Sequence, residues 1–326
     1  MITLDGLVAN ARLKAAISGF QTRMPHAILV EGPKGTGKRT VCALLAQALV
    51  CNAQGARPCG VCAHCKKARV GAHPDIAVLD GEKGANALHV DAIRALRADA
   101  FIAPNEADCR VFVIARADNM TPAAQNALLK VLEEPPDGVY FLLTCESKAR
   151  LLDTVLSRVT LLSMEPVGQK DMLSYLRARF PNEEDARLLQ AAALADGAIG
   201  QAVHALEDEG VLTAYDIADA AANALLSPQE YDLLLALAPL VKNKALFLDV
   251  LAFLQQIVLD ALRAKAQGMP GDVSETAARC ANRLTFVALR AVGEEIRRAQ
   301  NAQAQNANQA LLVTGTAAAL KDAAAL

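Results

Sequence analysis

The stretch Ala27-Ile28-Leu29-Val30-Glu31-Gly32-Pro33-Lys34-Gly35-Thr36-Gly37-Lys38 decides the fold. A continuous apolar run passes into a glycine-rich turn and then into a helical pattern, which is the context a G-x-x-x-x-G-K loop requires. Glycines let backbone N–H groups approach phosphate oxygens, the helix N-terminus adds positive potential, and a lysine at position 38 reaches terminal phosphates. Gly32, Gly35, Gly37 and Lys38 are therefore the expected nucleotide-binding set, followed by Arg39 and Thr40. A glycine-rich turn that binds nothing is the plainer alternative; the motif alone argues against it, and the next residue raises its standing. Arg39 stands where such loops use a Ser or Thr hydroxyl to hold Mg²⁺. Thr40 is one residue late, a displacement that turns a helical side chain by about 100°.

Four more apolar runs follow: Ile76–Asp80, Arg110–Ala115, Val139–Cys145 and 159–164. Each suits a strand covered on both faces, and helical patterns separate them, which predicts an α/β fold with a parallel, doubly wound sheet. Its ligand edge is expected at the carboxyl ends of the strands. The clearest helix is Pro122–Glu133, with Thr121 as cap, Pro122 at the first position and Pro135-Pro136 as the stop. A hydrolysing P-loop protein needs a carboxylate at the end of a neighbouring strand. Here Val111-Phe112-Val113-Ile114 runs into Ala115-Arg116, and neither residue holds a metal. Asp118 lies three residues beyond Ala115 and reads as part of the turn before the Thr121 helix. Both departures point to a site that holds nucleotide weakly or not at all, has little use for Mg²⁺, and does not turn nucleotide over.

Beyond Met164 the strand signal ends. Pro166-Val167-Gly168 reads as a hinge, followed by a small helical section containing the turn Asp196-Gly197, and everything later is helical and rich in Ala and Leu. The expected domains are 1–165, an α/β domain; 166–208, a small helical domain; and 209–326, an all-α domain. In the last, Ser227-Pro228 starts a helix, 267–274 forms a loop, and the Ala/Gln/Asn stretch 299–309 continues a helix.

The 326 residues, at roughly 150 per domain, allow two or three domains, and 53% hydrophobic with 21% charged content is globular. A net charge of -2 argues against a chain that grips nucleic acid chiefly by neutralising phosphates. Apolar stretches such as 40–51 are too short and Ala-rich to span a bilayer, and the first residues lack a signal-type pattern, so a cytoplasmic protein without membrane contact is expected.

Four of the eight cysteines, Cys51, Cys59, Cys62 and Cys65, form C-x7-C-x2-C-x2-C. That density suits a closed tetrahedral zinc site of structural type; reduced free thiols are the alternative. Cys42, Cys109, Cys145 and Cys280 are scattered and read as core residues, and His26, His64 and His73 as polar loop residues.

With these residues in view, the chain resembles the delta-prime subunits of the bacterial DNA polymerase III clamp loader, relatives of the AAA+ ATPases. The resemblance covers nearly the whole length. It rests on His26-Ala27 before the loop, the four-Cys module, His73-Pro74-Asp75, the run from Asn126 through Leu128-Leu129-Lys130 and Glu133-Glu134 to Pro135-Pro136, and Ser157-Arg158. It implies a RecA-like AAA+ domain, a helical lid and a helical collar for oligomerisation. The implied partners are the tau/gamma and delta subunits, the beta sliding clamp and, through the assembled ring, primed DNA. It also implies that Arg158, supported by Ser157, acts in trans as an arginine finger on ATP bound by a neighbour. The family motif continues Ser-Arg-Cys, whereas this chain has Val159. An ATP-hydrolysing tau/gamma-type motor is one alternative. Such motors carry Asp-Glu where this chain has Ala115-Arg116 and an Arg near Gly200-Gln201, departures that disfavour it. A zinc-dependent nucleic-acid-binding module is the other.

Overall fold

The computed structural model describes the whole chain apart from residues 1, 3, 5, 21–23, 82–87, 268–273 and 306. Its contacts divide the chain into two compact units, Met1–Val203 and His204–Leu326.

In the first unit the apolar runs form a parallel sheet of β1 (Ala27–Glu31), β2 (Ile76–Asp80), β3 (Arg110–Ala115), β4 (Val139–Cys145) and β5 (Thr160–Ser163), in the order β2-β3-β4-β1-β5. Successive side chains enter opposite layers, as a two-residue period requires. Leu29, Phe112, Ile114, Phe141 and Leu143 pack into one core, while Ile28, Val30, Val111, Val113 and Leu142 pack into the other. The helices of this unit are α1 (Ala11–Gly19), α2 (Lys38–Val50), α3 (Ala63–Arg69), α4 (Val90–Asp99), α5 (Pro122–Glu133), α6 (Asp153–Leu156), α7 (Gln169–Arg179), α8 (Asp185–Leu194) and α9 (Ile199–Glu207), the last running past its boundary. Leu13 and Ile17 of α1 and Val41 and Leu45 of α2 cover one face of the sheet. Ile93 and Leu96 of α4 and Leu128 and Leu132 of α5 cover the other.

The expected strand 159–164 is shorter. β5 lies at the sheet edge and pairs with β1 from Ile28↔Thr160 to Glu31↔Ser163, with Met164 N–H still donating to Glu31 O at 2.8 Å. The turn before α9 forms as expected. Asp196 and Gly197 adopt φ of 43° and 79°, and Val167 N–H donates to Gly197 O at 2.9 Å. A Cβ on Gly197 would lie 2.5 Å from Pro166 Cβ, which explains the glycine.

The second unit is helical: α10 (Glu209–Leu225), α11 (Glu230–Leu237), α12 (Lys244–Gln267), α13 (Glu275–Arg283), α14 (Phe286–Ala304) and α15 (Gln309–Ala324). α12 is apolar and long enough, by composition, to cross a membrane. Within the unit it is a core helix: Phe247, Val250, Leu251, Leu254 and Val258 bury one face against Ala218 and Ala221 of α10 and Leu289, Val292 and Ile296 of α14.

Three expectations need correction. The stretch 299–309 does not continue one helix, because α14 stops at Ala304 and Asn308 caps α15 by accepting from Leu311 N–H at 3.2 Å. Asn competes for backbone donors and so favours a new start over continuation. Ser227 does not itself open a helix; its Oγ accepts from Gln229 N–H, and α11 begins at Glu230. Of the expected loop 267–274, Gln267 ends α12 and Ser274 caps α13, while its centre lies outside the described residues.

Candidate functional site

The glycine-rich loop leaves the carboxyl end of β1 and enters α2. Gly35 and Gly37 take φ of 85° and 95°, the left-handed region that favours glycine. Lys38 turns back on the loop and donates from Nζ to Gly32 O at 2.6 Å and Pro33 O at 2.7 Å. Burial lowers its pKa, against the opposing carboxylate of Glu146 and the acids Cys145 and Asp118. Thr36 Oγ1 donates to Pro33 O at 2.9 Å.

The start of α9 lies directly on the loop. Gly200 N–H donates to Gly35 O at 2.7 Å, and Gln201 Nε2 donates to Lys34 O at 3.1 Å. A Cβ on Gly35 would meet Gln201 Cγ at 2.8 Å, and one on Gly200 would meet Gly35 O at 2.9 Å. Gly200-Gln201, where the motor relatives were expected to carry Arg, therefore closes over the loop as backbone and amide.

A cavity of about 410 Å³ opens beside these residues. Lys34, Lys38, Arg39, Arg116 and Arg179 line it together with Glu146, the one carboxylate among the described lining residues, and with Leu7, Val8, Ile199 and Val203. That wall suits a phosphate-bearing ligand with an apolar portion. Arg39 donates from Nη2 to both oxygens of Asp80, at 2.8 and 2.7 Å, so the carboxylate that ends β2 faces a guanidinium. Ala115 is buried at the end of β3. Arg116 follows at φ 57°, its N–H donating to Thr144 Oγ1 at 2.9 Å. Thr40, expected to turn aside, still lines the cavity, although its hydroxyl has no described partner. Asp118 is buried in the 3₁₀ turn Ala117–Asn119; Oδ2 accepts from Glu146 N–H at 3.1 Å, and Oδ1 has no partner among the described residues. No three metal-capable side chains converge at this loop among the described residues.

Sequence reasoning missed Asp80, Glu146, Arg179 and the contact from α9. Asp80 and Glu146 carried a usable signal, since each lies at or just beyond the carboxyl end of a parallel strand, where such sheets place their sites.

The four cysteines meet as expected. Cys51 follows the last turn of α2, Cys62 caps α3, Cys65 lies within α3, and the four Sγ atoms are all within 4.8 Å of one another. Cys59 and Cys65 Sγ are 3.9 Å apart. Thiolates about 2.3 Å from a tetrahedral ion stand about 3.8 Å apart, so the set fits one zinc. The N–H groups of Cys59, Cys62 and Cys65 point at Cys51, Cys59 and Cys62 Sγ, at 3.5, 3.4 and 3.4 Å. Such donors favour the thiolate: the N–H groups of Cys62 and Val61 hold Cys59 down at about 6, while burial pushes Cys65 up to about 12.

His64, His73 and Glu106 fasten this module to the sheet. His64 Nδ1 and His73 Nε2 are 3.0 Å apart, Asp75 N–H donates to His73 Nδ1 at 3.1 Å, and Lys67 holds both Glu106 oxygens at 2.7 and 2.6 Å. His64 Nδ1, both ring nitrogens of His73 and both oxygens of Glu106 are thus engaged, the last by Lys67. Cys42, Cys109, Cys145 and Cys280 are buried, as expected.

Ser157 and Arg158 close the short α6. Arg158 Nη1 donates to Thr154 O at 2.8 Å and Ser157 Oγ at 3.0 Å, and Nη2 pairs with Glu133 Oε1 at 2.6 Å. Arg158 does not line the cavity beside its own loop.

Sheet order, loop and flanking helices define a P-loop α/β fold in which Arg39 follows the loop lysine and Ala115 ends β3. The family model described as DNA polymerase III, delta subunit, matches residues 10–168. DNA polymerase III subunit delta' of Escherichia coli is 32% identical over 91% of this chain and 90% of its own length. That of Bacillus subtilis is 36% identical over 51% of this chain and 50% of its own. DNA polymerase III subunit gamma/tau of Mycobacterium tuberculosis is 40% identical, but over only 42% of this chain and 24% of its own length. The chain belongs to the DNA polymerase III subunit delta' family.

Proposed function

We propose that this chain is a non-hydrolysing assembly subunit of a cytoplasmic DNA polymerase III clamp loader. It works with tau/gamma and delta subunits to place the beta sliding clamp on primed DNA, and Arg158, held by Ser157, reaches ATP on a neighbouring subunit. Residues 1–165 form the AAA+ body of this reading, 166–208 the lid and 209–326 the oligomerisation collar. Family membership supports the assembly. The observation that carries the loss of hydrolysis is the Arg39–Asp80 pair, which puts a guanidinium at the hydroxyl's place and neutralises the carboxylate nearest to it. Arg116 adds a second cation where the metal-binding acid is absent. In this reading nucleotide enters only if Lys38 leaves its loop carbonyls, and Mg²⁺ gains no protein ligand there. One zinc on Cys51, Cys59, Cys62 and Cys65 is structural, because four thiolates leave no open coordination position.

The motor alternative draws on the intact Gly32–Lys38 loop, but Ala115 stands at the strand end where the metal-binding acid is required. The nucleic-acid alternative draws on the basic end of α3. There Lys67 is paired with Glu106, and Arg69 donates to Gly60 O at 2.9 Å, which leaves few cations for phosphates.

An arginine finger contributes about 10³ to 10⁵ in rate at the site it completes. Arg158→Ala in the reconstituted loader is therefore expected to cut clamp- and DNA-stimulated ATP turnover sharply while leaving the ring assembled. Unchanged turnover in an assembled ring would defeat the assignment.

A further inference from the structure

We infer that Glu133 is the positioning residue for Arg158. The inference rests on the proposal that Arg158 reaches a neighbour's ATP, and adds how this chain prepares it to do so. Glu133 is the last residue of α5, and Arg158 follows α6; β4 lies between the two helices in sequence.

Three contacts hold the guanidinium. Nη2 pairs with Glu133 Oε1 at 2.6 Å, and Nη1 donates to Thr154 O and Ser157 Oγ. Ser157 Oγ in turn donates to Thr154 O at 3.1 Å, so the serine ties the arginine to the helix backbone. Nε has no partner among the described residues, which leaves part of the donor fork available to a phosphate.

Two features favour positioning over stability as Glu133's role. A carboxylate at a helix C-terminus opposes the helix dipole, so this end of α5 gains nothing locally from Glu133. The pair is also partly solvated, with side chains 33% and 47% exposed, and exposed pairs contribute little to folding. What the carboxylate does supply is orientation. An arginine left free samples many rotamers, whereas one held at both terminal nitrogens keeps its fork in one region of space. A triphosphate carries more charge than one carboxylate and can take over the guanidinium when a neighbour arrives. Misplacement of a reacting group costs up to about 10²-fold in rate.

The test is a double-mutant cycle in the fully reconstituted loader, with clamp and primed DNA present and ring assembly checked by gel filtration. Arg158→Ala, Glu133→Ala and the double variant are compared for kcat and KM of ATP, with Glu133→Gln as the conservative variant. Glu133→Ala is expected to lower kcat about tenfold with KM for ATP little changed, and to add nothing in the Arg158→Ala background. Glu133→Gln, which keeps an acceptor oxygen, is expected to recover part of the loss. If Arg158→Ala lowers kcat but Glu133→Ala leaves or raises it, or if the two losses multiply, the positioning role is overturned and the finger survives. If Arg158→Ala itself has no effect, the finger reading fails and the inference fails with it.

Discussion

Asp75 is fully buried, yet its carboxylate accepts from the N–H groups of Asn105, Glu106 and Ala107 and from Asn105 Nδ2. Burial disfavours the charge, but the N–H donors outweigh it and hold the Asp75 carboxyl below its ordinary range. A carboxyl depressed in the folded state stabilises fully above its unfolded pKa, near 3.9, and loses that contribution as pH falls through the lower folded value. The urea midpoint of wild type is therefore expected to fall between about pH 5 and about pH 3, with part of that fall absent in Asp75→Asn. At neutral pH the variant is expected to be about 1–3 kcal/mol less stable, since its amide NH₂ meets donors. An equal acid response in both proteins would contradict this account of Asp75. The residue was legible in the sequence only as part of a family motif, because its partners lie about thirty positions away. Gly200 is a second case. Within an exposed helix, Gly→Ala commonly gains about 0.5–1 kcal/mol. Here the new Cβ meets Gly35 O at 2.9 Å, so the clash should win and cost about 1–3 kcal/mol. A raised urea midpoint for Gly200→Ala would show that α9 does not rest on the loop.

Among the elements, α3 and the chain leading into it are expected to depend on metal more than on apolar burial. α3 has only seven residues, and Cys65 is its buried one. A single zinc per chain is expected. Its removal by a chelator should abolish amide-exchange protection over 51–69 while β1, β3 and β4 remain protected. Release should become easier in acid, because protons compete for the thiolates. Retained protection after complete chelation would show that hydrogen bonds such as the His64–His73 contact suffice to hold the module. Helix and strand positions were legible wherever they followed from local chemistry. Thr121 accepts from Ala124 N–H at 3.2 Å, and α5 runs from Pro122 to Glu133 as its flanking prolines dictate. The break between α14 and α15 was less legible, because Ala and Gln propensity argued for helix while one capping side chain at Asn308 decided otherwise.

For the molecule as a whole, the parallel sheet could be read from five apolar runs, and the two candidate sites from their glycines and cysteines. What the sequence concealed is long-range pairing. Arg39 meets Asp80 across 41 positions, Gly35 meets Gly200 across 165, and Glu133 meets Arg158 only once two helices are brought together. These contacts give the chain its character, a P-loop body in which Arg39 and Arg116 line the cavity and α9 closes on the loop. The most direct test of that character is steady-state ATP hydrolysis by the purified chain alone with Mg²⁺ present. The predicted result is no turnover above the buffer rate; turnover that requires Lys38 would contradict it.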